Sequence, residues 1–143
     1  MNDWDKVQKC FKTMKVRFPN AIGNLQYLET PVGWNRLLLQ CAKEMEKAIS
    51  QLPKSKRHLY GASQIKEKYG SLRWYTDNWH DSFKDIIKKY ETLSYRTCEV
   101  CGKRGKTKNE KGWVVTVCKD HEDREQNQTD HDDDDDDNFF IKE

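Results

Sequence analysis

Three cysteines and one histidine fall into two pairs that have the spacing of metal ligands. The pattern is Cys98-x2-Cys101, sixteen intervening residues, and Cys118-x2-His121. A gap of two residues lets both ligands of a pair reach one ion from a tight turn, and zinc prefers four thiolate or imidazole ligands in a tetrahedron. Gly102, directly after Cys101, suits a turn that needs a positive φ. The spacing predicts one zinc ion held by these four side chains.

An iron–sulfur cluster and a pair of disulfides are the alternatives to zinc at these residues. The chain has five cysteines, an odd number, and a reducing cytosol disfavours disulfides. Four protein ligands fill a tetrahedral coordination sphere and leave no position for a reactive water. We therefore expect one structural zinc ion without a catalytic role.

Around these ligands, three segments and one dipeptide carry a wider pattern. They read QIKEKYGSLRWY at 64–75, SYRTCEVCG at 94–102 and GWVVTVC at 112–118, with Gly33-Trp34 upstream. In this pattern the chain resembles a group of small uncharacterised bacteriophage and prophage zinc-binding proteins, which read roughly QIKEKFGxLRFY, a helix, then TCExCG and GWxxTLC. The resemblance covers about residues 33–121. It implies a zinc-binding accessory protein of phage type, working in a bacterial host cytoplasm, and says little about its partner.

Apolar residues at spacings of three and four predict two helices in the first half of the chain. The first runs over residues 3–17, with Asp3 as its N-cap and Pro19 ending the run; the second runs from about 33 to 52 and ends before Pro53. Residues 19–32 are predicted as an irregular connection and 54–58 as a basic loop. The predicted core face of the first helix is Trp4, Val7, Phe11, Met14 and Phe18. Cys10 and Cys41 lie on such apolar faces and are predicted to be buried, inert thiols.

The period changes to two over residues 59–76, which predicts a β-hairpin. Residues 59–60, 64–67 and 72–75 read as strand, and 68–71 read as the turn. Arg73 and Tyr75 should then share the face opposite to Leu72 and Trp74. A third helix is predicted from Asp77 or Asn78 to residue 94.

Together these elements predict an α+β fold of three helices and a β-hairpin, followed by a small zinc-ribbon-like Cys3His module. The predicted units are a body at 1–94, the zinc module at 95–122, and a disordered acidic tail at 123–143. A strand at 112–117 should deliver Cys118 to the metal. With a mean hydropathy of -1.09 and 11% aromatic residues, the core should be small and rich in rings. No apolar run long enough for a membrane span and no signal-like start are seen, so a cytoplasmic protein is expected.

The net charge of +2 hides a strong asymmetry along the chain. Residues 120–143 carry twelve acids and two bases, a net of -10, whereas residues 1–119 carry 24 bases and 12 acids, a net of +12. Basic and aromatic side chains can contact phosphates and stack on unpaired bases, although surface lysines are as easily explained by solvation. The candidate surface for a nucleic acid or another partner is Arg73, Tyr75, Arg96, Lys103, Arg104, Lys106, Lys108 and Lys111.

The acidic tail carries a candidate motif of its own. It consists of Asp132, Asp133, Asp134, Asp135, Asp136 and Asp137, followed closely by Phe139 and Phe140. An aspartate run by itself only keeps a protein soluble, but an aromatic end is not needed for that. The motif could occupy the chain's own basic surface or a basic groove on a partner.

Three functions are compatible with these features. The preferred one is a non-enzymatic module that binds a host protein and inhibits or redirects it. The alternative is nucleic-acid binding through the basic body, with the tail as a competitor. A metal-dependent nuclease is the third, since Gln64-x-Lys66 is half of such a site, but it also needs converging acidic ligands. The nearest acids, Glu67, Asp77 and Asp81, form no recognisable pattern, and the oligomeric state stays open.

Overall fold

The computed structural model describes residues 1–110 and 112–122. Lys111 of the candidate surface and the whole predicted tail motif, 132–140, lie outside the described residues. The α-helices are α1 (Asp3–Arg17), α2 (Pro19–Ile22), α3 (Asn35–Ile49), α4 (Lys84–Ser94) and α5 (Lys119–Glu122). The strands are β1 (Ala62–Lys68), β2 (Ser71–Thr76), β3 (Lys106–Glu110) and β4 (Trp113–Val117). Short 3-10 helices span Val32–Trp34, Lys54–Tyr60 and Asp81–Phe83.

The mixed helical and antiparallel-sheet architecture is confirmed, but three helices are too few. The predicted long helices correspond to α1, α3 and α4. The connection predicted as irregular contains α2, because Pro19 stands at the first position of a helix, where its missing N–H is not needed. The predicted basic loop is a 3-10 helix that continues to Tyr60, so residues 59–60 are not strand.

Helix ends also differ from the predicted ones. Asn2, not Asp3, caps α1, since its side chain accepts a hydrogen bond of 2.8 Å from the backbone N–H of Asp5. Helix α3 ends at Ile49 rather than near 52. Helix α4 begins only after a 3-10 turn, in which the His80 ring accepts from the Ser82 N–H at 3.1 Å. Side-chain caps decide such ends, and several polar residues compete for each one.

The core forms where α3 packs between α1 and α4, and α4 in turn packs against β2 of the first hairpin. Four of the five residues predicted on the α1 stripe are buried, whereas Trp4 is 55% exposed and stacks near Tyr27, with ring centroids 6.1 Å apart. Cys41 is fully buried, and Cys10 is half-buried. Burial raises the pKa of the Cys10 thiol to about 11. Fully buried large side chains of this core include Met14, Trp34, Leu37, Met45, Ile65, Leu72 and Phe83.

The first hairpin has the predicted turn and alternation. Lys68 pairs with Ser71, which leaves Tyr69 and Gly70 as a two-residue turn with φ values of 54° and 81°. Positive φ at both positions is the type I′ conformation that suits the twist of a hairpin. Arg73 and Tyr75 lie opposite the buried Trp74 side, as predicted.

The second hairpin contains a strand that the sequence analysis did not predict. Lys106–Glu110 is strand β3, which pairs antiparallel with β4 in a register that places Lys106 opposite Val117 and Lys108 opposite Val115. The two hairpins meet at the Gly70 turn. A Cβ on Gly70 would lie 2.7 Å from Val114 Cγ1, and the Thr116 hydroxyl donates to the Gly70 carbonyl at 3.3 Å. The glycine therefore allows the close approach of the two sheets.

No helix in the described part of the chain combines the length and the apolar character needed to cross a membrane.

Candidate metal centre

The four predicted ligands converge on one point. The Sγ atoms of the three cysteines and a ring nitrogen of His121 all lie within 4.8 Å of one another. Cys101 Sγ is 3.7 Å from Cys118 Sγ, and His121 Nδ1 is 3.6 Å from Cys98 Sγ and 3.2 Å from Cys118 Sγ. Zinc–sulfur bonds of about 2.3 Å and a zinc–nitrogen bond of about 2.0 Å give tetrahedral edges of roughly 3.8 Å and 3.5 Å. The arrangement therefore fits one metal ion.

The first pair of ligands lies in a tight backbone turn. The Gly102 N–H donates to the Cys98 carbonyl at 2.9 Å, and the Cys98 N–H donates to the Lys103 carbonyl at 2.7 Å. The Val100 N–H points at Cys98 Sγ from 3.4 Å. Gly102 has a φ of 84°, so the positive φ expected of this glycine is confirmed.

The second pair follows β4 into α5. Strand β4 ends at Val117 and so presents Cys118, and the His121 N–H donates to the Cys118 carbonyl at 3.0 Å. Glu99 ties the two pairs together, because its N–H donates to the Thr116 carbonyl and its carboxylate accepts from the Thr116 N–H, both at 2.9 Å. The positions of the ligands are thus fixed by backbone as well as by side chains.

Hydrogen bonds within the cluster separate the acidities of the thiols. The bond that Cys98 accepts from the Cys101 thiol, aided by backbone N–H groups, lowers the pKa of Cys98 to about 4. The same bond raises the pKa of Cys101, and burial raises the pKa of Cys118. One thiolate is therefore favoured by the protein alone. Binding of a cation to all three sulfurs would release the remaining thiol protons.

The turn that holds Cys98 and Cys101 contacts Gly33 and Trp34, which lie just before α3. The Gly33 N–H donates to the Glu99 carbonyl at 2.8 Å, and the indole N–H of the fully buried Trp34 donates to the Thr97 carbonyl at 3.2 Å. A Cβ on Gly33 would lie only 2.1 Å from the Cys98 carbonyl oxygen. The metal centre is thereby joined to the core of the body. In the sequence, Gly33-Trp34 stood at a predicted helix start and in the resemblance pattern, and neither indicated this contact.

The residues of the predicted basic surface do not all come together. Arg73 and Tyr75 belong to the first hairpin, and Arg73 forms an ion pair with Glu91 at 3.8 Å. Lys108 lies 4.0 Å from the Glu122 carboxylate. Around the metal centre, Arg96, Lys103, Arg104 and Lys106 are exposed. The surface is thus divided between the first hairpin and the region of the metal centre, and both Arg73 and Lys108 have acidic partners.

Among the exposed aromatic side chains that the sequence analysis did not single out, Tyr69 and Trp113 are the most exposed. Tyr69 is 67% exposed and Trp113 is 73% exposed. Their backbones flank the Gly70–Val114 contact, although the Trp113 side chain alternates to the face of the second hairpin opposite to Val114. We call Tyr69 and Trp113 the aromatic junction. Tyr69 in a turn and Trp113 after Gly112 were visible in the sequence, but the contact between their neighbours Gly70 and Val114 depends on the packing of the two sheets.

Gln64 and Lys66, the half-motif of a nuclease site, do not share a face of the hairpin with Glu67, the nearest acid. Gln64 and Lys66 pair with Tyr75 and Arg73 on one face of the first hairpin. Glu67 alternates to the other face, where its carboxylate accepts from the Gly70 N–H at 2.9 Å. Among the described residues, the potential metal ligands that gather in a group of three or more are the Cys3His set.

No protein-family model matches the chain, and no curated protein or solved structure is significantly similar to it.

Proposed function

We propose that this protein is a zinc-stabilised, non-enzymatic binding protein whose aromatic junction contacts a macromolecular partner. The preferred partner is a host protein, which binding would inhibit or redirect. The conformation of Tyr69 carries the proposal. The proposal that the partner comes from a bacterial host rests on the resemblance to phage-type proteins. Affinity capture from a bacterial lysate tests the host, and titration with nucleic acid tests the class of partner.

Tyr69 stands in a conformation that the fold does not require of a tyrosine. Its φ of 54° is left-handed, which costs an L-residue other than glycine, asparagine or aspartate about 1 kcal/mol. The ring is 67% exposed, and Lys68 Nζ lies 5.6 Å from its centroid. Asparagine followed by glycine would form the same turn with less strain. An exposed aromatic ring held at a conformational cost indicates a contact made outside the chain.

Trp113 strengthens this reading. A tryptophan that is 73% exposed exposes a large apolar area to water. Tryptophan and tyrosine are among the residues that contribute most to protein–protein binding. Both rings are mounted on hydrogen-bonded hairpins, so little conformational entropy is lost when a partner covers them.

The distribution of charge favours a protein over a nucleic acid. Residues 1–122 carry 24 basic and 14 acidic residues, a net charge of +10. Residues 123–143 carry two basic and ten acidic residues, a net charge of -8. The basic residues near the metal centre and those on β2 lie on different sheets. Polyanion binding gains most from a continuous row of unpaired cations.

Nucleic-acid binding is the second candidate, because one observation favours it. Lys68 lies over the Tyr69 ring, and Arg96, Lys103 and Lys106 are exposed on the neighbouring module. A ring beside cations can stack on an unpaired base while the cations contact phosphates.

The metal ion in this proposal is zinc, and the centre is of the zinc-ribbon type. The donor set of three thiols and one imidazole is the one zinc favours, and the edge lengths suit its bonds. A centre of the zinc-ribbon type is expected to contain a β-hairpin between its two ligand pairs. Zinc would supply cross-linking only, since no ligand position is left for substrate.

Affinity capture from a bacterial lysate, followed by reconstitution with the purified partner, tests the function. The variants Tyr69→Asn and Trp113→Ser should each weaken binding of the reconstituted partner at least tenfold, which corresponds to about 1.4 kcal/mol. Val16→Ser is the matched control, because Val16 is 80% exposed on α1, away from the junction. Equal loss in the control would refute the assigned surface.

Titration with single-stranded and duplex nucleic acid separates the second candidate. Tight binding whose affinity falls steeply with salt, and which Tyr69→Asn weakens, would replace the protein partner by a nucleic acid.

A further inference from the structure

The second hairpin presents an apolar row and a basic row on one face. Val114 and Thr116 contact Gly70 of the first hairpin. Because side chains alternate along a strand, Trp113, Val115 and Val117 lie on the opposite face. Lys108 pairs with Val115 and Lys106 pairs with Val117, so these two lysines share that face, and Glu110 pairs with Trp113. We call this side the outer face: Trp113, Val115 and Val117 beside Lys106 and Lys108.

The chain leaves the described structure at this face. After β4 it turns through α5, and Glu122 comes to lie beside Lys108, whose Nζ is 3.4 Å from the Glu122 carbonyl oxygen and 4.0 Å from its carboxylate. Residue 123 is the first residue of the acidic tail. The tail therefore starts beside the lysines of the outer face.

We propose that the outer face is the docking site for the chain's own acidic tail, residues 130–141. The aspartates at 132–137 lie along Lys106 and Lys108, and Phe139, Phe140 and Ile141 cover Trp113 and Val115. The tail complements the outer face in charge and in polarity, since its acidic run would contact lysines and its apolar end would contact the apolar row. The same face would otherwise leave the Trp113 ring in water.

The length of the tail permits this contact without strain. Nine residues separate Glu122 from Asp132, and a flexible segment of that length spans roughly 15–18 Å. The apolar row itself, from Val117 to Trp113, is about 13 Å long at the usual rise of a strand. A tether of this kind gives an effective concentration on the order of millimolar. Weak contacts are therefore enough to keep the face occupied at low salt.

Occupation of the outer face would cover Trp113, one of the two rings of the aromatic junction. A partner that uses Trp113 would have to displace the tail, so the tail would lower the apparent affinity for that partner. The docking itself does not depend on the proposed function, because it needs no partner, and it is tested without one.

The experiment is a comparison of NMR spectra of three full-length, zinc-loaded proteins labelled with nitrogen-15. They are the wild type, a variant with the six aspartates 132–137 changed to asparagine, and Phe139→Ala/Phe140→Ala. Relative to wild type, both variants should shift the Trp113 indole N–H and the amides of Lys106 and Lys108. The indole N–H of Trp79, 55% exposed but outside the second hairpin, is the internal control and should not move.

Salt and dilution complete the test. The difference between wild type and the asparagine variant should shrink as ionic strength rises, because the lysine contacts are screened. An unchanged Trp113 signal in both variants would overturn the docking site. Shifts that disappear on dilution of the wild type would also overturn it, since they would assign the tail to a second copy rather than to its own chain.

Discussion

Replacing Gly33 by alanine should loosen the metal centre without touching a ligand. The new Cβ would lie 2.1 Å from the Cys98 carbonyl oxygen and 2.6 Å from the Glu99 carbonyl carbon. Ordinary contacts of this kind are above 3 Å, and both obstacles are backbone, so the turn must move by about 1 Å. The α3 region and the turn that holds Cys98 would then separate.

The cost follows from the contacts that this movement breaks. The Gly33 N–H bond to Glu99, at 2.8 Å, and the Trp34 indole bond to Thr97, at 3.2 Å, would both be lost. Each is worth about 1 kcal/mol, and a buried indole N–H left without a partner adds to this. The expected loss of folding free energy is about 2–3 kcal/mol. Because metal binding and folding of the centre are coupled, zinc affinity should fall roughly 30- to 150-fold.

Competition with a chromophoric chelator, together with thermal unfolding of the zinc-loaded protein, measures both effects. Gly112→Ala is the matched control. Gly112 has a φ of 87°, but a Cβ there would meet no atom within 4 Å, so only backbone strain of about 1 kcal/mol is expected. If Gly33→Ala lowers zinc affinity no more than Gly112→Ala does, the contact between the metal centre and the α3 region is not energetically coupled.

Four further predictions address other parts of the molecule. Cys98→Ser should abolish stoichiometric zinc binding and lower the unfolding temperature, as measured by elemental analysis and calorimetry, because three ligands cannot close the site. Tyr69→Asn should raise the free energy of unfolding by about 0.5–1 kcal/mol in urea titration, since the strained turn is relieved; a lower stability would mean that the ring supports the fold. Alkylation of Cys10 at pH 8 should be about a hundredfold slower than that of an ordinary thiol, because its pKa of about 11 leaves little thiolate until the pH approaches that value. Purified protein should not cleave DNA or RNA with magnesium, and cleavage that Lys66→Ala removes would revive the nuclease.

The metal centre was predictable because its pattern is local and chemical. Two ligand pairs with a gap of two residues, and Gly102 after Cys101, require nothing from the rest of the fold. The four side chains come together as predicted. The identity of the metal is a further step, since a donor set restricts the ion without naming it.

The helices were predictable in kind but not in detail. Apolar periodicity is strong over α1, α3 and α4, and it is these elements that bury the core. Short helices have too few residues to show a period, so α2 and residues 54–58 of the following 3-10 helix were predicted as loop. Caps were wrong for a similar reason: Asn2, Asp3 and His80 all carry acceptors, and only the backbone geometry decides which is used.

Contacts between distant segments could not be predicted from one sequence. The turn of the metal centre contacts Gly33, and Gly70 contacts Val114. In both contacts the residues are far apart in the chain. The lysine-rich stretch 106–110 was not predicted as a strand because it has no apolar alternation. Strand β3 forms because its backbone pairs with β4.

X-ray absorption at the zinc edge, on protein purified at native stoichiometry, tests the central claim most directly. We predict one zinc per chain with three sulfur neighbours at about 2.3 Å and one nitrogen neighbour at about 2.0 Å. A Cys118→Ala protein should no longer purify with one zinc per chain, because three ligands cannot close the site. Protein that contains no zinc, an iron–sulfur chromophore in its place, or a zinc shell without sulfur would contradict the assignment of Cys98, Cys101, Cys118 and His121 as its ligands.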